Sequence, residues 1–348
     1  MVEINQKQQK ILALFLQNGA MRSSEVHFGL GTEMALVTIK RTLAELVEIG
    51  VLHSIGSGRS TGYEITTTGR VFAHTDAGIY CVVEPDKRYG FDRYNFDLLP
   101  QFPTELFSEA EQVALESATA EYRQRTEDIP PAIQKKELER LIIELSWKSS
   151  KIEGNTYTLL DTEKLILENK EAVGHDKNEA RMILNHKDAF LFVHDNASQF
   201  KTPTRANLES LHKILVKDMN INTGLRKRLV GVTGSKYRPL ENKYQIAEAV
   251  EALSSTIARV ATPYAKALVA LLGISYIQPF EDGNKRTSRL MANAILIAHS
   301  RAPLSYRSVD ENEYREAMLV FYELNSIVPF KKIFIDQYLF AAKNYAVK

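Results

Sequence analysis

The sequence predicts a mainly α-helical protein with a small α+β module at its N-terminus. Two patterns carry this reading. Across residues 132–348 apolar side chains recur at helical spacing, as in Leu138, Leu141, Ile142 and Leu145, or Ala267, Leu268, Leu271, Leu272 and Ile274. Within residues 1–75, three helical patterns precede two short alternating runs around a glycine-rich tip. The 348 residues are 44% hydrophobic and 25% charged, an ordinary globular composition with room for two or three domains.

Taken in order, Ile4, Ile11, Leu12, Phe15 and Leu16 predict a helix over residues 4–18 that ends at Gly19. Ser23 and Ser24 are expected to cap a short helix with Val26, Phe28 and Leu30, and Thr32 a longer one with Leu36, Ile39, Leu43, Leu46 and Val47 inward, stopping at Gly50. Residues 51–55 and 63–66 then read as paired strands joined through Gly56, Ser57, Gly58 and Arg59. Residues 76–131 read as a connector, with Pro100 and Pro103 followed by a polar helical stretch up to Pro130 and Pro131. In the helical remainder, 132–348, one exception is residues 228–240, where a β-like run, a Gly234-Ser235 turn and Pro239 suggest a hairpin.

Lys and Arg total 44 against 43 Asp and Glu, which argues against a chain dominated by nucleic-acid backbone binding. The lone cysteine, Cys81, excludes an internal disulfide and a Cys-based zinc site. No apolar run is long enough to span a membrane and residues 1–18 lack a secretory pattern, so the expected compartment is the cytoplasm. The N-terminal pattern resembles the winged helix-turn-helix family, in which a third helix and a wing contact DNA; Lys40, Arg41 and Arg59 would be the contacts. Lys7, Lys10, Arg22, Lys40, Arg41, Arg59 and Arg70 are almost balanced by Glu3, Glu25, Glu33, Glu45, Glu48 and Glu64, so protein contact through this module stands beside DNA binding.

The segment Ile277-Gln278-Pro279-Phe280-Glu281-Asp282-Gly283-Asn284-Lys285-Arg286-Thr287-Ser288-Arg289 carries the chemistry. Pro279 ends one helix, and another starts near Gly283, whose amides make an anion site. Arg286 and Arg289 share a helix face, where both can reach one phosphate chain, and Asp282 offers an oxygen to a divalent cation. A helix-helix turn with a solvated charge cluster is the alternative reading of the same spacing.

These residues resemble the Fic (Fido) signature, His-Pro-Phe-x-Asp/Glu-Gly-Asn-Gly/Lys-Arg-x-x-Arg, whose members mostly transfer AMP from ATP to a hydroxyl of a target protein. The resemblance implies an all-α Fic core over 132–348 with a small β-hairpin flap, and ATP and Mg2+ as cofactors. It implies that Asp282 holds the metal, that Gly283, Asn284, Lys285, Arg286 and Arg289 bind phosphate, and that Gln278, Asn284 and Arg286 occupy catalytic positions. Ser149, Glu153 and Gly154 resemble an inhibitory motif whose glutamate pairs with the second arginine, here Arg289; a plain polar i, i+4 pair is the local alternative. Gly234, Ser235, Lys236 and Tyr237 resemble the flap that holds a target segment by strand addition.

Gln278 departs from the signature, and Lys285 takes the lysine of its Gly/Lys position. Gln278 stands where the family has histidine, and an amide cannot take a proton from an attacking hydroxyl, which removes about two to four orders of magnitude in rate. Lys285 stands where many members have glycine, which leaves AMP or phosphate open as the transferred group. His299 lies some 20 Å along the second helix at ~1.5 Å per residue, and His175, His186 and His194 reach the loop only through tertiary folding. The expectation is an adenylyltransferase autoinhibited by Glu153 and impaired by Gln278, against a nucleotide-sensing DNA-binding regulator or a phosphotransferase. Its partners would be a protein with a Ser, Thr or Tyr hydroxyl, the chain itself, DNA through the N-terminal module and a second copy in a homodimer, with no membrane.

Overall fold

A computed structural model describes residues 3–347, without the side chain of Arg59. The chain forms two compact units. One holds the residues up to Ser108 together with Gly231–Arg238 and Asn312–Lys332; the other holds Glu109–Val230, Pro239–Glu311 and Ile333–Lys348.

The first unit begins with α1 (Gln6–Asn18), α2 (Ser23–Leu30) and α3 (Leu36–Glu48), followed by β1 (Leu52–Ile55) and β2 (Gly62–Ile65), which pair antiparallel with Leu52 opposite Ile65. The spaced apolar residues converge as expected: Ile11, Leu12, Phe15, Ile39, Leu43, Leu46 and Val51 are fully buried in one core. Two expectations fail. Ser23 is the first helical residue of α2 rather than its cap, and Phe28 is 91% exposed. Thr32 lies in a short 3-10 turn, and α3 starts at Leu36 after Ala35, because residues 31–33 tighten into i→i+3 geometry before the chain turns inward at buried Met34. The unit continues through α4 (Thr67–Phe72) and α5 (Ala77–Val82). The connector is more than a tether, since Leu98, Leu99, Phe102 and Leu106 are buried.

The expected hairpin at residues 228–240 does not form. The two-stranded ladder among the described residues is β1–β2, and Gly231–Arg238 instead makes a turn, with the Ser235 amide bonded to the Val232 carbonyl. Its remaining polar groups find partners outside the segment. The Arg238 amide donates to Asp92 O at 2.8 Å, Ser235 Oγ to Glu323 Oε1 at 2.6 Å, and Arg88 Nη1 to Gly234 O at 2.9 Å. With those partners taken, self-pairing has nothing to add.

The second unit is helical: α6 (Glu109–Glu127), α7 (Pro131–Ile152), α8 (Leu159–Glu168), α9 (Lys177–Asp195), α10 (Arg205–Leu215), α11 (Lys243–Arg259), α12 (Pro263–Ile277) and α13 (Asn284–Ala298). Beyond it, α14 (Glu311–Leu324) lies almost wholly in the first unit, and α15 (Val328–Asn344) starts there and continues in the second. From Tyr264 onward α12 buries every residue except Lys266, as suits a helix apolar all round. It packs antiparallel-fashion through the 278–283 turn against α13, while α7, α9 and α10 pack onto the other sides of α13. The consequence is a loop held at one end of a rigid helix pair, with α7 alongside.

Candidate functional site

The loop is built by fixing its backbone from three sides. At its start Gln278 closes α12 in the left-handed region, φ 50°, a conformation that costs a non-glycine residue about 1 kcal/mol. Arg226 offsets that cost: its Nε donates to Gln278 O at 2.6 Å and its backbone amide to Pro279 O at 2.9 Å. In the middle, the Asn284 amide spans both backbone groups of Phe280, accepting from its N–H at 2.8 Å and donating to its carbonyl at 2.9 Å. At the end, Gly283 turns the chain at φ 77° into α13, and a side chain there would press on Val216. His212 of α10 completes the clamp, stacking on the Phe280 ring at 3.7 Å and placing Nε2 3.0 Å from Asp282 O.

That frame leaves donors facing one place. The amides of Asn284, Lys285 and Arg286 have no acceptor among the described residues, as expected for the first turn of a helix. Arg286 is 1% exposed; its Nη2 lies 3.5 Å from Asp282 Oδ2, and its Nη1 has no hydrogen-bond partner among the described residues. Burial pushes its pKa down, against the pull of Asp282 and Glu153. Arg289 is fully buried, with Nε on Ser149 Oγ at 2.9 Å, Nη2 on Ser149 O at 2.8 Å and Nη1 on Glu153 Oε1 at 2.9 Å. Glu153 caps the C-terminus of α7, and its second oxygen is 3.6 Å from Lys285 Nζ. Burial would raise the Glu153 carboxyl, yet Arg289, with Lys285 and Arg286, outweighs it and holds the group below its ordinary range.

Asp282 is mostly exposed, with Oδ1 accepting from the Gly283 amide and Oδ2 only loosely engaged. Among the described residues no three or more His, Cys, Asp or Glu side chains gather to hold a metal. A single free carboxylate beside an anion nest fits magnesium, which takes one or two protein oxygens and fills the rest with phosphate and water.

Ser149, Glu153, Gln278, Asp282, Gly283, Asn284, Lys285, Arg286 and Arg289 therefore come together in the second unit, with Gly154 following Glu153 in the turn after α7. Gly234, Ser235, Lys236 and Tyr237 lie in the first unit, where Arg88, Glu323 and a parallel Tyr237–Tyr322 ring pair hold them. Of the three histidines that reach the loop only through tertiary folding in the sequence reading, His175 bonds Thr156 and faces Glu179, and His194 sits beside Asp195 at the far end of α9. His186 is buried next to the two arginines, which together with desolvation push its pKa far down. His212, unmarked in the sequence reading, is the histidine in contact with the loop, although its place on the apolar face with Leu208, Leu211 and Leu215 is a usable signal. Arg226 has none; Leu225-Arg226-Lys227-Arg228 reads as an ordinary basic run.

A cavity of about 570 Å³ lined by Tyr122, Arg123, His194, Ile297 and Arg301 lies at the other end of α13. The cavity and the loop thus lie at opposite ends of one helix. For a polyphosphate the loop is the better site, because charge and amide donors bind it rather than apolar enclosure.

Comparison with known proteins agrees with this geometry. Residues 202–296 match the model of the Fic/DOC family. A protein adenylyltransferase Fic from Nematostella vectensis is 30% identical over 175 residues, covering 49% of this chain and 41% of that protein. A protein of the same name from Drosophila yakuba is 29% identical over 189 residues, covering 53% and 38%. The chain thus spans about two fifths of the curated relatives it matches. Among solved structures, Fic-1 from C. elegans superposes with a TM-score of 0.58 at 18% identity, covering 68% of this chain and 72% of that one. A Fic domain containing signaling protein from Bacteroides thetaiotaomicron gives 0.55 at 20%, covering 66% and 94%. The α10–α13 region that carries His212, Arg226 and the loop coincides with the matched stretch, and this chain carries a domain of the Fic/DOC family.

Proposed function

We propose that the chain binds Mg-ATP at the Gln278–Arg289 loop as a Fic-type protein adenylyltransferase, held closed by Glu153, with transfer slowed or abolished by Gln278. The observation that carries the nucleotide reading is Arg286, buried to 1% exposure with Nη1 unpartnered among the described residues, beside three amides equally without acceptors there. A buried cation in that state calls for an anion, and a phosphate chain is what the donors' fork-and-nest arrangement fits. Asp282 would hold the magnesium, which shields the charge on the phosphates. The names of the adenylyltransferase relatives support AMP as the transferred group and a protein as acceptor, and the hydroxyl on it is what the signature's resemblance implies.

In AMP transfer the target's Ser, Thr or Tyr oxygen bonds to the α-phosphorus, the bond to the β-phosphate oxygen breaks, pyrophosphate leaves and the hydroxyl proton goes to a base. Gln278 cannot be that base. Its Nε2 donates to Ser275 O at 2.7 Å, and an amide oxygen accepts hydrogen bonds without accepting the proton. His212 is no substitute, since its Nε2 is engaged at the Asp282 carbonyl and its Nδ1 is buried. The three helices and hairpin of residues 1–75 serve in this reading as a winged helix, with Lys40 and exposed Arg41 as candidate DNA contacts and the side chain of Arg59 outside the described part. Residues 234–237 serve as the target-binding flap, and the chain itself and a homodimer partner remain among the proposed partners.

The test is the intact mass of the Glu153→Gly protein after incubation with Mg-ATP, beside the same protein carrying Gln278→His, with α- and γ-labelled ATP in parallel. An α-labelled adduct of AMP mass, appearing with histidine and scarce without it, supports the reading. A γ-labelled adduct makes the chain a phosphotransferase, and no adduct with histidine refutes transfer at this loop.

A further inference from the structure

We infer that Lys285 is a shared cation, holding the second oxygen of Glu153 in the resting chain and turning to the terminal phosphates of the nucleotide once Glu153 leaves. This rests on the nucleotide reading above and adds to its regulation. Glu153 presents two oxygens to α13, and each meets a different cation: Oε1 the Arg289 guanidinium at 2.9 Å, Oε2 the Lys285 ammonium at 3.6 Å. Lys285 and Arg289 are four residues apart on one helix, so both reach the same side of it.

The two cations differ in freedom. Arg289 is fully buried and tied to Ser149 through Nε and Nη2, so it stays in place whether or not Glu153 is present. The Lys285 side chain is 32% exposed, and Glu153 is its ion-pair partner. A hydrated ammonium on a four-carbon stem can change partners at little cost, which a buried guanidinium fork cannot. Charge also favours the exchange. With Glu153 seated, Lys285 and Arg289 pair with Glu153 and Arg286 with Asp282; when Glu153 withdraws, its negative charge leaves the cluster, and the anion that replaces it finds an ammonium already at the first turn of α13. The same substitution should therefore weaken the latch and weaken phosphate binding, with opposing effects on apparent nucleotide affinity.

The experiment is a double-mutant cycle on the full chain, with Mg-ATP affinity measured by calorimetry for the parent, Lys285→Met, Glu153→Gly and the double variant. Methionine keeps the apolar stem at a surface position, so folding is retained, and thermal unfolding of each protein checks this. In the Glu153→Gly background, Lys285→Met is expected to weaken Mg-ATP binding about five- to tenfold. With Glu153 present the loss is expected to be about two- to fivefold smaller, because the latch loosens at the same time. Lys285→Arg should restore most of both effects, and AMP, which lacks the terminal phosphates, should bind the Glu153→Gly protein equally with Lys285 or methionine. Equal losses in the two backgrounds would overturn the sharing of Lys285, and no loss without Glu153 would overturn its contact with phosphate. If Glu153→Gly itself fails to tighten Mg-ATP binding, the autoinhibitory reading fails and the inference falls with it, whereas no Mg-ATP binding by any of the four proteins refutes the nucleotide reading, and both outcomes are separable from the other two.

Discussion

Glu153→Gln keeps the size of the side chain and removes its charge, so it isolates what the carboxylate does. The Glu153–Arg289 contact is 2.9 Å long, with the arginine side chain 0% and the glutamate side chain 19% exposed. A hydrogen bond between charged partners in such surroundings contributes about 1.5–3 kcal/mol, and a neutral amide retains about 1. The difference, about 0.5–2 kcal/mol, is the resistance that Mg-ATP no longer has to overcome. At 1.4 kcal/mol per factor of ten, affinity should rise about 2- to 30-fold. The nucleotide-free chain should lose stability by a similar amount, although Arg289 keeps both contacts to Ser149. Affinity and stability therefore move in opposite directions, which a merely damaged fold would not do. The sign with pH follows from the same contact. The Glu153 carboxyl, despite burial, is held below its ordinary value of 4.5 by Arg289, Lys285 and Arg286. A carboxyl lowered on folding contributes stability that is complete above the unfolded value and lost as pH falls through the folded one. The stability gap between parent and variant should thus be full at pH 7 and close below pH 4.5. Calorimetry and urea unfolding on the same preparations read both quantities; reduced stability with unchanged affinity would refute the latch and leave Glu153 a structural residue.

Three further outcomes follow from the loop's supports. Burial, with Arg286 adding to it, pushes the His212 pKa from 6.5 down to about 4, against the Asp282 carbonyl, because a proton on Nδ1 has no acceptor there. With the folded value lowered, the unfolded chain protonates first, so this contribution is present above pH 6.5 and is lost as pH falls toward 4, about 3 kcal/mol in all; His212→Gln should flatten that part of a urea-unfolding profile, and parallel profiles would contradict it. Arg226→Met leaves the carbonyls of Gln278, Arg228 and Leu240 without their guanidinium donor and should lower stability by about 3 kcal/mol or more, with Mg-ATP binding lost before the fold is. Trp147, the sole tryptophan, sits on α7 with the Lys148 and Lys151 ammoniums near its ring, six residues before Glu153; its emission should shift as Mg-ATP displaces Glu153, and a silent titration at saturating nucleotide would mean that α7 does not respond.

Local rules read most of the fold. Ile11, Leu12, Phe15, Ile39, Leu43 and Leu46 fall on buried faces because helical spacing alone selects them. The misreadings at Ser23 and Thr32 are local, a cap shifted to Arg22 and a 3-10 turn, whereas at residues 228–240 side chains distant in sequence decide the outcome. Residues 228–240 have strand composition, but Arg88, Asp92 and Glu323 supply their partners. The loop was legible because Pro279, Gly283 and two arginines at helical spacing encode a turn, a cap and an anion site within thirteen residues. Arg226 was not, since its role exists only once α10 and α12 bring residue 226 beside Gln278. The sequence reading puts Asn284 in the phosphate nest through its backbone N–H, and that role leaves its side chain to bridge the Phe280 backbone.

The supports of the loop also determine what restoring the histidine would do. Arg226 holds the backbone of Gln278 and Pro279, Asn284 holds Phe280, and His212 holds Asp282; none of these contacts uses the side chain at position 278. The Gln278 amide contributes one hydrogen bond, to Ser275 O at the end of α12. Binding geometry and proton acceptance are therefore separate properties of this loop. Gln278→His, in the Glu153→Gly background, should leave Mg-ATP affinity within about twofold and stability within about 1 kcal/mol, the net worth of that one bond. Transfer of AMP, followed by label incorporation at fixed nucleotide occupancy, should rise by about two to four orders of magnitude. A rise in affinity with no rise in rate would mean that residue 278 shapes the nucleotide seat instead of serving the reaction, and that the base comes from elsewhere.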